Sequence, residues 1–226
     1  AHYNLGNILT DQRKLQDAEL SYRKAIEIKP DFAKALSNLG GILRDLGKLQ
    51  DAELSTRKAI ELNPDFANAH YNLGNILKDL GQLKRAFNSY LKVIEIDSTY
   101  SNIYPSITRF LRDSDPSQLN KSKLKDILNL LLERNDVTHK ELFNAFNFVY
   151  GNEIISNLEK IDSDFSKIEL VANEKVIINA LKKITFNNMR LEKVLTNVRK
   201  YLCNKITKNK EEISYSQLQF IIALGE

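Results

Sequence analysis

The sequence predicts an all-α protein, and three observations lead to this expectation. A unit of 34 residues occurs three times, beginning at Ala1, Ala35 and Ala69. Each unit carries apolar residues at helical spacing, and no segment shows the alternating pattern of a β-strand. Beyond residue 112 the period is lost, although helical spacing continues. We therefore expect a right-handed superhelix of about three helix-turn-helix repeats, followed by an irregular helical region.

The first two repeats are nearly copies of one another. Residues 1–32 and 35–66 share 23 of 32 aligned residues, while residues 69–100 depart further from the pattern. Each repeat contains two helices joined by a turn, and Pro30 ends the second helix of the first repeat. Small residues recur at two positions: Gly6, Gly40 and Gly74 in the first helix, and Ala18, Ala52 and Ala86 in the second. Because a helical Gly costs about 1 kcal/mol relative to Ala, we expect a close helix–helix approach at these glycines.

Composition excludes several classes of protein. The 226 residues are 42% hydrophobic and 27% charged, which is typical of a folded globular chain and not of a disordered one. The single cysteine, Cys203, cannot form a disulfide framework within the chain, and it has no second Cys with which to bind zinc. Since no run reaches the roughly 18 apolar residues that a membrane span needs, we expect no membrane partner and a cytoplasmic location.

The repeat motif resembles the tetratricopeptide repeat (TPR). The shared pattern is N-L-G-x-I-L, then D-L-G-x-L, then A-x-x-x-x-x-K-A-I-E-x-x-P-D-F, and it covers residues 1 to about 100. Several positions depart from the family pattern: His2, Leu36 and His70 replace its frequent Trp, Thr56 replaces an aromatic residue, Val93 replaces Ala, and Ser98 replaces the terminal Pro. The resemblance implies a non-catalytic module that binds protein or peptide ligands.

The turn-rich segment Asp113–Ser117 is the predicted domain boundary. Residues 1–112 would form the TPR array with a capping helix over 101–112, and residues 113–226 an all-helical connector or C-terminal domain, truncated at its end. Because the first repeat has no cap before it, we expect the chain to come from a longer array and to self-associate through its first helix.

Helical patterns continue in the second region. Predicted helices cover residues 121–134, 174–184 and 189–206, and capping boxes begin further helices at Thr138 and Ser214. Gly151 is expected to break or bend the chain, and residues 162–166 to form a loop.

The second region also resembles a larger enzyme. Residues 191–199 and 219–224 are similar to the helical connector of bacterial proteins in which TPR repeats precede a methyltransferase domain that uses S-adenosylmethionine. That resemblance implies an alternative function, in which this chain is the substrate-recruiting N-terminal part of a methyltransferase. The Gly-rich cofactor loop of such enzymes does not occur in residues 1–226.

Polar residues of the first helices form columns on the face opposite Leu5 and Leu9. The predicted peptide-binding groove consists of Tyr3, Asn4, Asn7, Ser37, Asn38, Tyr71, Asn72 and Asn75. An amide offers a donor and an acceptor, which matches a peptide unit. With helices spaced about 8–10 Å apart, one Asn would serve roughly every third residue of an extended peptide. The alternative is that these Asn side chains bridge neighbouring helices, or that they reflect duplication of the repeat.

The type of ligand is less closely defined by the sequence. Where acid-binding TPR grooves carry Lys, this chain has Tyr3, Asn68 and Asn72, so we expect no clamp for two carboxylates. Tyr3 and Tyr71 would either anchor a ligand or pack against an adjacent helix.

No catalytic constellation is visible, and we expect no enzymatic activity, cofactor or metal in this chain. His2, His70 and His139 have no metal-ligand spacing and are expected at the surface or in the groove, while Cys203 is expected to be buried. The basic segment 190–210 would form a solvated helix face, with contact to nucleic acid as the alternative. Net charge is only +4, with 33 basic against 29 acidic residues, and we do not expect a nucleic-acid partner.

Overall fold

The computed structural model describes residues 1–158, 168, 171–184, 188–207 and 214–224. Two compact units are present, Ala1–Ile103 and Tyr104–Glu226. The described residues contain helices and turns but no strand, so the prediction of an all-α fold is confirmed. The predicted loop at 162–166 lies outside the described residues.

The first unit consists of three helix pairs. Its helices are α1 (His2–Asp11), α2 (Leu15–Ile28), α3 (Ala33–Asp45), α4 (Leu49–Leu62), α5 (Ala67–Asp79) and α6 (Leu83–Ile96). As expected, α2 ends before Pro30. The proline ring sterically disfavours helical backbone angles at the residue that precedes it. Successive helices pack against one another, so each repeat contacts the next through its second helix.

Within each repeat the two helices are joined by a tight turn that requires a left-handed residue. Gly47 and Gly81 occupy this position with φ of 76° and 73°, and Arg13 occupies it in the first repeat with φ of 60°. An L-residue pays a steric cost in this region that glycine does not. The turn residue is therefore strained only in the first repeat.

The recurring small residues lie where the helices of a pair meet. Ala18, Ala52 and Ala86 are fully buried. A Cβ added at Gly6 would lie 2.6 Å from Cε1 of Tyr22, and one at Gly74 would lie 2.6 Å from Cε1 of Tyr90. The close approach is thus confirmed, although in these two repeats it is made by a tyrosine ring.

Two glutamates, buried Glu19 and partly buried Glu53, link consecutive repeats. Glu19 of α2 accepts hydrogen bonds from Arg23 in the same helix at 2.9 Å and from Lys48, in the next repeat, at 2.8 Å. The hydrogen bond from Lys48 is the main cause that lowers the pKa of Glu19. Glu53 stands at the same position in the second repeat and pairs with Arg85 of the third at 3.0 Å. Each link spans one repeat boundary.

The second unit is built from helices of unequal length with many buried apolar residues. Its described helices are Ile103–Asp113, which begins at the end of the first unit, Lys121–Glu133, Phe143–Phe146, Asn152–Leu158, Lys175–Lys183, Met189–Thr207 and Tyr215–Ala223. The first begins at Ile103, two residues before Pro105. Gly151 ends a π-helical turn, Asn147–Gly151, so the expected bend takes the form of a widened helical turn.

Some predictions for this region need correction. Ser214 and Gln217 form the expected capping box, but Thr138 makes no side-chain cap and begins a 3₁₀ turn, His139–Leu142. The two compact units divide at Ile103. The domains 1–112 and 113–226 stay a prediction. The assignment of residues 101–112 as a cap of the array stays a prediction. In the described part of the chain, no helix is long and apolar enough to cross a membrane.

Candidate functional site

The first helices of the repeats present the predicted groove residues. Asn4 is exposed, and no hydrogen bond links its side chain to any described residue. The partly buried residues are Tyr3, Asn7, Asn38, Tyr71, Asn72 and Asn75. Ser37 is fully buried, so it is not an open groove residue. Its burial removes a direct ligand contact that the sequence predicted.

Asn38 joins the first two repeats. Its Nδ2 donates to Oδ1 of Asn7 at 3.1 Å, and weaker contacts of 3.4 and 3.5 Å reach the hydroxyls of Tyr3 and Tyr22. The Tyr22 hydroxyl donates to the same Asn7 oxygen at 2.8 Å. These contacts place an amide pair and two phenol hydroxyls at the boundary between α1 and α3.

Asn72 joins the second and third repeats in a different way. Its Nδ2 donates to the backbone carbonyl of Ser37 and to Oγ of Ser37, each at 3.1 Å. Asn68 also donates to Oγ of Ser37, at 3.3 Å, and accepts from the Tyr100 hydroxyl at 2.9 Å. The column Asn38 and Asn72 therefore bridges neighbouring helices, which was the alternative open for these residues.

The predicted groove tyrosines pack within the array. The Tyr3 ring centroid lies 4.8 Å from that of Phe32 and 6.0 Å from that of Tyr22. The Tyr71 ring centroid lies 5.4 Å from that of Tyr100 and 6.2 Å from that of Tyr90. Such distances are those of interacting aromatic pairs, so both rings have a structural role in the free protein.

These bridges leave one hydrogen-bonding atom unused in each of four groove amides, those of Asn7, Asn38, Asn72 and Asn75. Among the described residues, Asn38 and Asn72 donate through Nδ2, while neither Oδ1 accepts a hydrogen bond. Asn7 and Asn75 do the opposite, since their Oδ1 atoms accept from Tyr22 and Tyr90 and their Nδ2 atoms have no partner in the described part of the chain. The groove face therefore carries both unused acceptors and unused donors.

The open amides of the first two repeats border a depression of about 390 Å³. Its lining comprises Asn7, Thr10, Asp11, Tyr22, Asn38, Gly41, Ile42, Asp45, Asn68 and Asn72. A depression of this size falls within the range of ligand sites. Lys, Arg and His are all missing from this lining, whereas two carboxylates are part of it.

Burial keeps the tyrosines of this face protonated. It raises the pKa of Tyr22 and of Tyr90 above the usual value of 10.0, and it has the same effect on Tyr100. A protonated phenol can donate, which is the role that Tyr22 and Tyr90 take toward Asn7 and Asn75.

Three contributors were missed by the helix-face argument. Tyr22 and Tyr90 belong to the second helices, and Asn68 was considered only as a departure from an acid-binding groove. A signal was nevertheless present in the sequence, because Asn7 accompanies Tyr22 and Asn75 accompanies Tyr90, whereas Gly41 accompanies Thr56. Residues that change together between repeats are those that touch in the structure.

Other candidate residues do not assemble a second site. His139 is only partly exposed, and its Nε2 is buried without a hydrogen-bond partner among the described residues, so it is not the surface residue expected from the sequence. Cys203 is partly exposed, where burial was expected. Lys193, Arg199 and Lys200 lie on the exposed face of the helix Met189–Thr207. No cluster of three or more potential metal ligands occurs in the residues that the structure describes.

Family models match the first part of the chain. The model described as tetratricopeptide repeat matches residues 1–32 and 67–100, and the model described as TPR repeat matches residues 40–81. The first hundred residues form tetratricopeptide repeats. The TPR assignment agrees with the 34-residue period and with the six paired helices of the first unit.

Several solved structures are similar to part of this chain. An O-GlcNAc transferase mutant of Thermobaculum terrenum is 23% identical with a TM-score of 0.52, over 59% of this chain and 25% of that one. The first TPR of Spaghetti (RPAP3), bound to the HSP90 peptide SRMEEVD, is 22% identical with a TM-score of 0.46, over 48% and 86%. The Arabidopsis OM64 TPR domain is 18% identical with a TM-score of 0.47, over 48% and 90%. The chain thus spans about a quarter of the transferase. No curated protein matches it.

Proposed function

We propose that the TPR array is a protein-interaction module whose concave face binds an extended peptide or protein segment. The observation that carries this proposal is the presence of both unused acceptors and unused donors on one face, with open Oδ1 atoms at Asn38 and Asn72 and open Nδ2 atoms at Asn7 and Asn75. An extended backbone presents alternating N–H and C=O groups, and each needs a partner when a ligand displaces water.

The bridging role of Asn38 and Asn72 supports this function as well as the fold. Their Nδ2 groups are held by Asn7 and by Ser37, which restrains the amide plane before a ligand arrives. A restrained side chain loses less conformational entropy on binding. The free Oδ1 atoms would then accept from peptide N–H groups without rearrangement of the array.

Asn4 offers the cleanest test, because its side chain makes no hydrogen bond with any described residue. Peptides would be selected from a random library on the full chain, and their affinities measured by fluorescence anisotropy for wild type and for Asn4→Ala, Asn38→Ala and Asn72→Ala. Loss of one hydrogen bond of about 1 kcal/mol weakens binding about fivefold. We expect this loss in Asn4→Ala without a change in thermal stability.

Asn63 provides the matched control. It is an exposed asparagine in the turn after α4 and does not line the depression. Asn63→Ala should bind the selected peptides as wild type does. Equal affinities for the wild type and all three groove variants would refute the proposal, as would a library selection that yields no binders.

A methyltransferase role is the alternative proposal, in which the groove recruits substrate for a catalytic domain outside residues 1–226. It rests on the resemblance of residues 191–199 and 219–224. The coding sequence downstream of Glu226 tests it directly. A Gly-rich strand-loop-helix unit supports the enzyme, and a stop codon immediately after residue 226 excludes it.

We further propose that the outer face of α1 mediates self-association of the chain. Leu5 and Ile8 are 45% and 52% exposed. Their equivalents are buried in both later repeats, with Leu39 at 5%, Ile42 at 3%, Leu73 at 5% and Ile76 at 0%. Burial of the same two side chains inside the array supports the proposal that a second copy covers them in solution.

A further inference from the structure

The second repeat differs from its neighbours at three equivalent positions along the groove. In each case a large side chain is replaced by a small one: Tyr3 and Tyr71 correspond to Ser37, Asn7 and Asn75 to Gly41, and Tyr22 and Tyr90 to Thr56. The remaining framework is shared, since the first two repeats have 23 of 32 residues in common. The three changes are among the nine positions at which the first two repeats differ, and at each of the three the third repeat has the same residue as the first.

In the outer repeats the large residues fill the space between the two helices. The Tyr22 ring covers Gly6 and its hydroxyl donates to Asn7 at 2.8 Å. The Tyr90 ring covers Gly74, and its hydroxyl donates to Asn75 at 2.9 Å. In both repeats this link closes the floor of the groove.

The link is missing from the second repeat. Oγ1 of Thr56 is buried and has no hydrogen-bond partner among the described residues. A Cβ added at Gly41 would approach only Nδ2 of Asn72, at 3.8 Å, which is an ordinary contact. Asn72 cannot donate to a side chain at position 41 and donates to Ser37 instead. Gly41 therefore marks open space where the other repeats hold an amide.

The chemistry around Gly41 favours a hydrogen-bond donor with positive charge. Asp11 and Asp45 line the depression, and no cation does. Asp11 has no ion pair with any described residue, and Asp45 has one long contact of 3.6 Å to Arg44. Arg44 itself donates to Asp79 at 2.6 Å. The depression thus has more unpaired hydrogen-bond acceptors than donors.

The positions of Asp11 and Asp45 in their helices also favour a positively charged ligand. Asp11 is the last residue of α1 and Asp45 the last residue of α3. Helix C-termini carry partial negative charge and unsatisfied carbonyls, so an acidic residue there is unfavourable. A cation in the depression would interact favourably with both carboxylates and both helix ends.

We propose that the depression at Gly41 is a side-chain subsite that accepts a lysine or arginine of a peptide lying in the groove. The proposal rests on the proposed peptide-binding function and adds the class of side chain that the second repeat selects. The unused donor of Asn7 and the unused acceptors of Asn38 and Asn72 would hold the peptide backbone, while Gly41 provides the space and Asp11 and Asp45 the charge.

The test begins with peptides selected from a random library on the full chain. Wild type should enrich Lys or Arg at one fixed position, and replacing that residue by Ala in a synthetic peptide should weaken binding about tenfold. Asp11→Asn/Asp45→Asn should lose this preference. Asp65→Asn is the matched control, because Asp65 is an exposed aspartate that does not line the depression.

A second variant fills the space instead of removing the charge. Gly41→Asn/Thr56→Tyr restores the pair found in both outer repeats, so it should fold, which thermal unfolding would verify. We expect it to bind the Ala-substituted peptide as wild type does and to lose the advantage of the Lys or Arg peptide.

Several outcomes would overturn the subsite. These are selected peptides without a basic preference, a preference that survives in Gly41→Asn/Thr56→Tyr, or an equal loss in Asp65→Asn. If such peptides still bind and Asn4→Ala weakens their binding, the proposed peptide-binding function is supported and only the proposed subsite is refuted. If no peptide binds, the peptide-binding function fails together with the subsite.

Discussion

The Tyr22 hydroxyl donates to Oδ1 of Asn7 at 2.8 Å, although the two residues lie on different helices of the first repeat. Tyr90 and Asn75 repeat this contact in the third repeat at 2.9 Å. The bond ties the second helix to the groove face of the first. It also leaves Nδ2 of Asn7 and of Asn75 without a partner among the described residues, so one contact serves both packing and the proposed binding surface.

Tyr22→Phe should destabilise the first unit. The substitution keeps the ring against Gly6 but removes the hydroxyl that contacts Asn7, Thr10 and Asn38. We expect a loss of about 1–2 kcal/mol in the free energy of unfolding, because the partly buried Oδ1 of Asn7 loses the shorter of its two hydrogen bonds. Urea denaturation, monitored by circular dichroism, measures this loss of stability. An unchanged midpoint in Tyr22→Phe would contradict the prediction.

Two adjacent glycines should respond in opposite directions to alanine. A Cβ at Gly40 would meet Thr56 Oγ1 at 2.0 Å and the carbonyl oxygen of Ala52 at 3.2 Å, whereas one at Gly41 has open space. Gly40→Ala should therefore cost about 1–3 kcal/mol through overpacking. Gly41→Ala should stabilise α3 by up to about 1 kcal/mol, since alanine favours the helix. Thermal unfolding of the two variants measures these changes in stability. Equal shifts of the unfolding temperature in the same direction would count against the described packing.

Acidification should destabilise the second unit through His139. Burial lowers the pKa of this imidazole below 6.5, and the nearby Lys183 acts in the same direction, while backbone groups of Arg134 and Leu131 oppose it. The unfolded state thus binds more protons near that pH. The contribution of neutral His139 to stability is complete above about pH 6.5 and declines as pH falls through the folded-state pKa.

Denaturation of wild type and His139→Gln across this pH range measures the effect. Wild type should lose more stability than the variant between about pH 7 and pH 5. Carboxylates with lowered pKa, such as Glu133 and Asp136, titrate below this window and should affect both proteins equally. Identical slopes for the two proteins would show that His139 is not the responsible group.

The exposed face of α1 should make the chain associate at high concentration. Leu5→Glu/Ile8→Glu should reduce that association, because it places two charges on an apolar contact. Sedimentation velocity over a concentration series measures it. Leu54→Glu is the control, since Leu54 is a highly exposed leucine on α4. A strict monomer for wild type at every concentration would refute the proposed interface.

The sequence by itself determined the helical repeats, their bounds and their turns. A 34-residue period with apolar residues at helical spacing allows one kind of fold, and Pro30, Gly47 and Gly81 mark its ends and turns. Periodicity also identified the face that carries Asn4, Asn38 and Asn72. Those properties are local, since they depend on neighbours within a few residues along the chain.

Only the tertiary structure decided which of those polar groups remain available. Periodicity assigns Asn38 to a face, but its hydrogen bonds to Asn7 and Tyr22 depend on how two repeats are spaced and rotated. The burial of Ser37 likewise results from Asn68 and Asn72 in the next repeat. A helical pattern specifies direction and not distance, and hydrogen bonds form only within a few tenths of an ångström of about 2.9 Å.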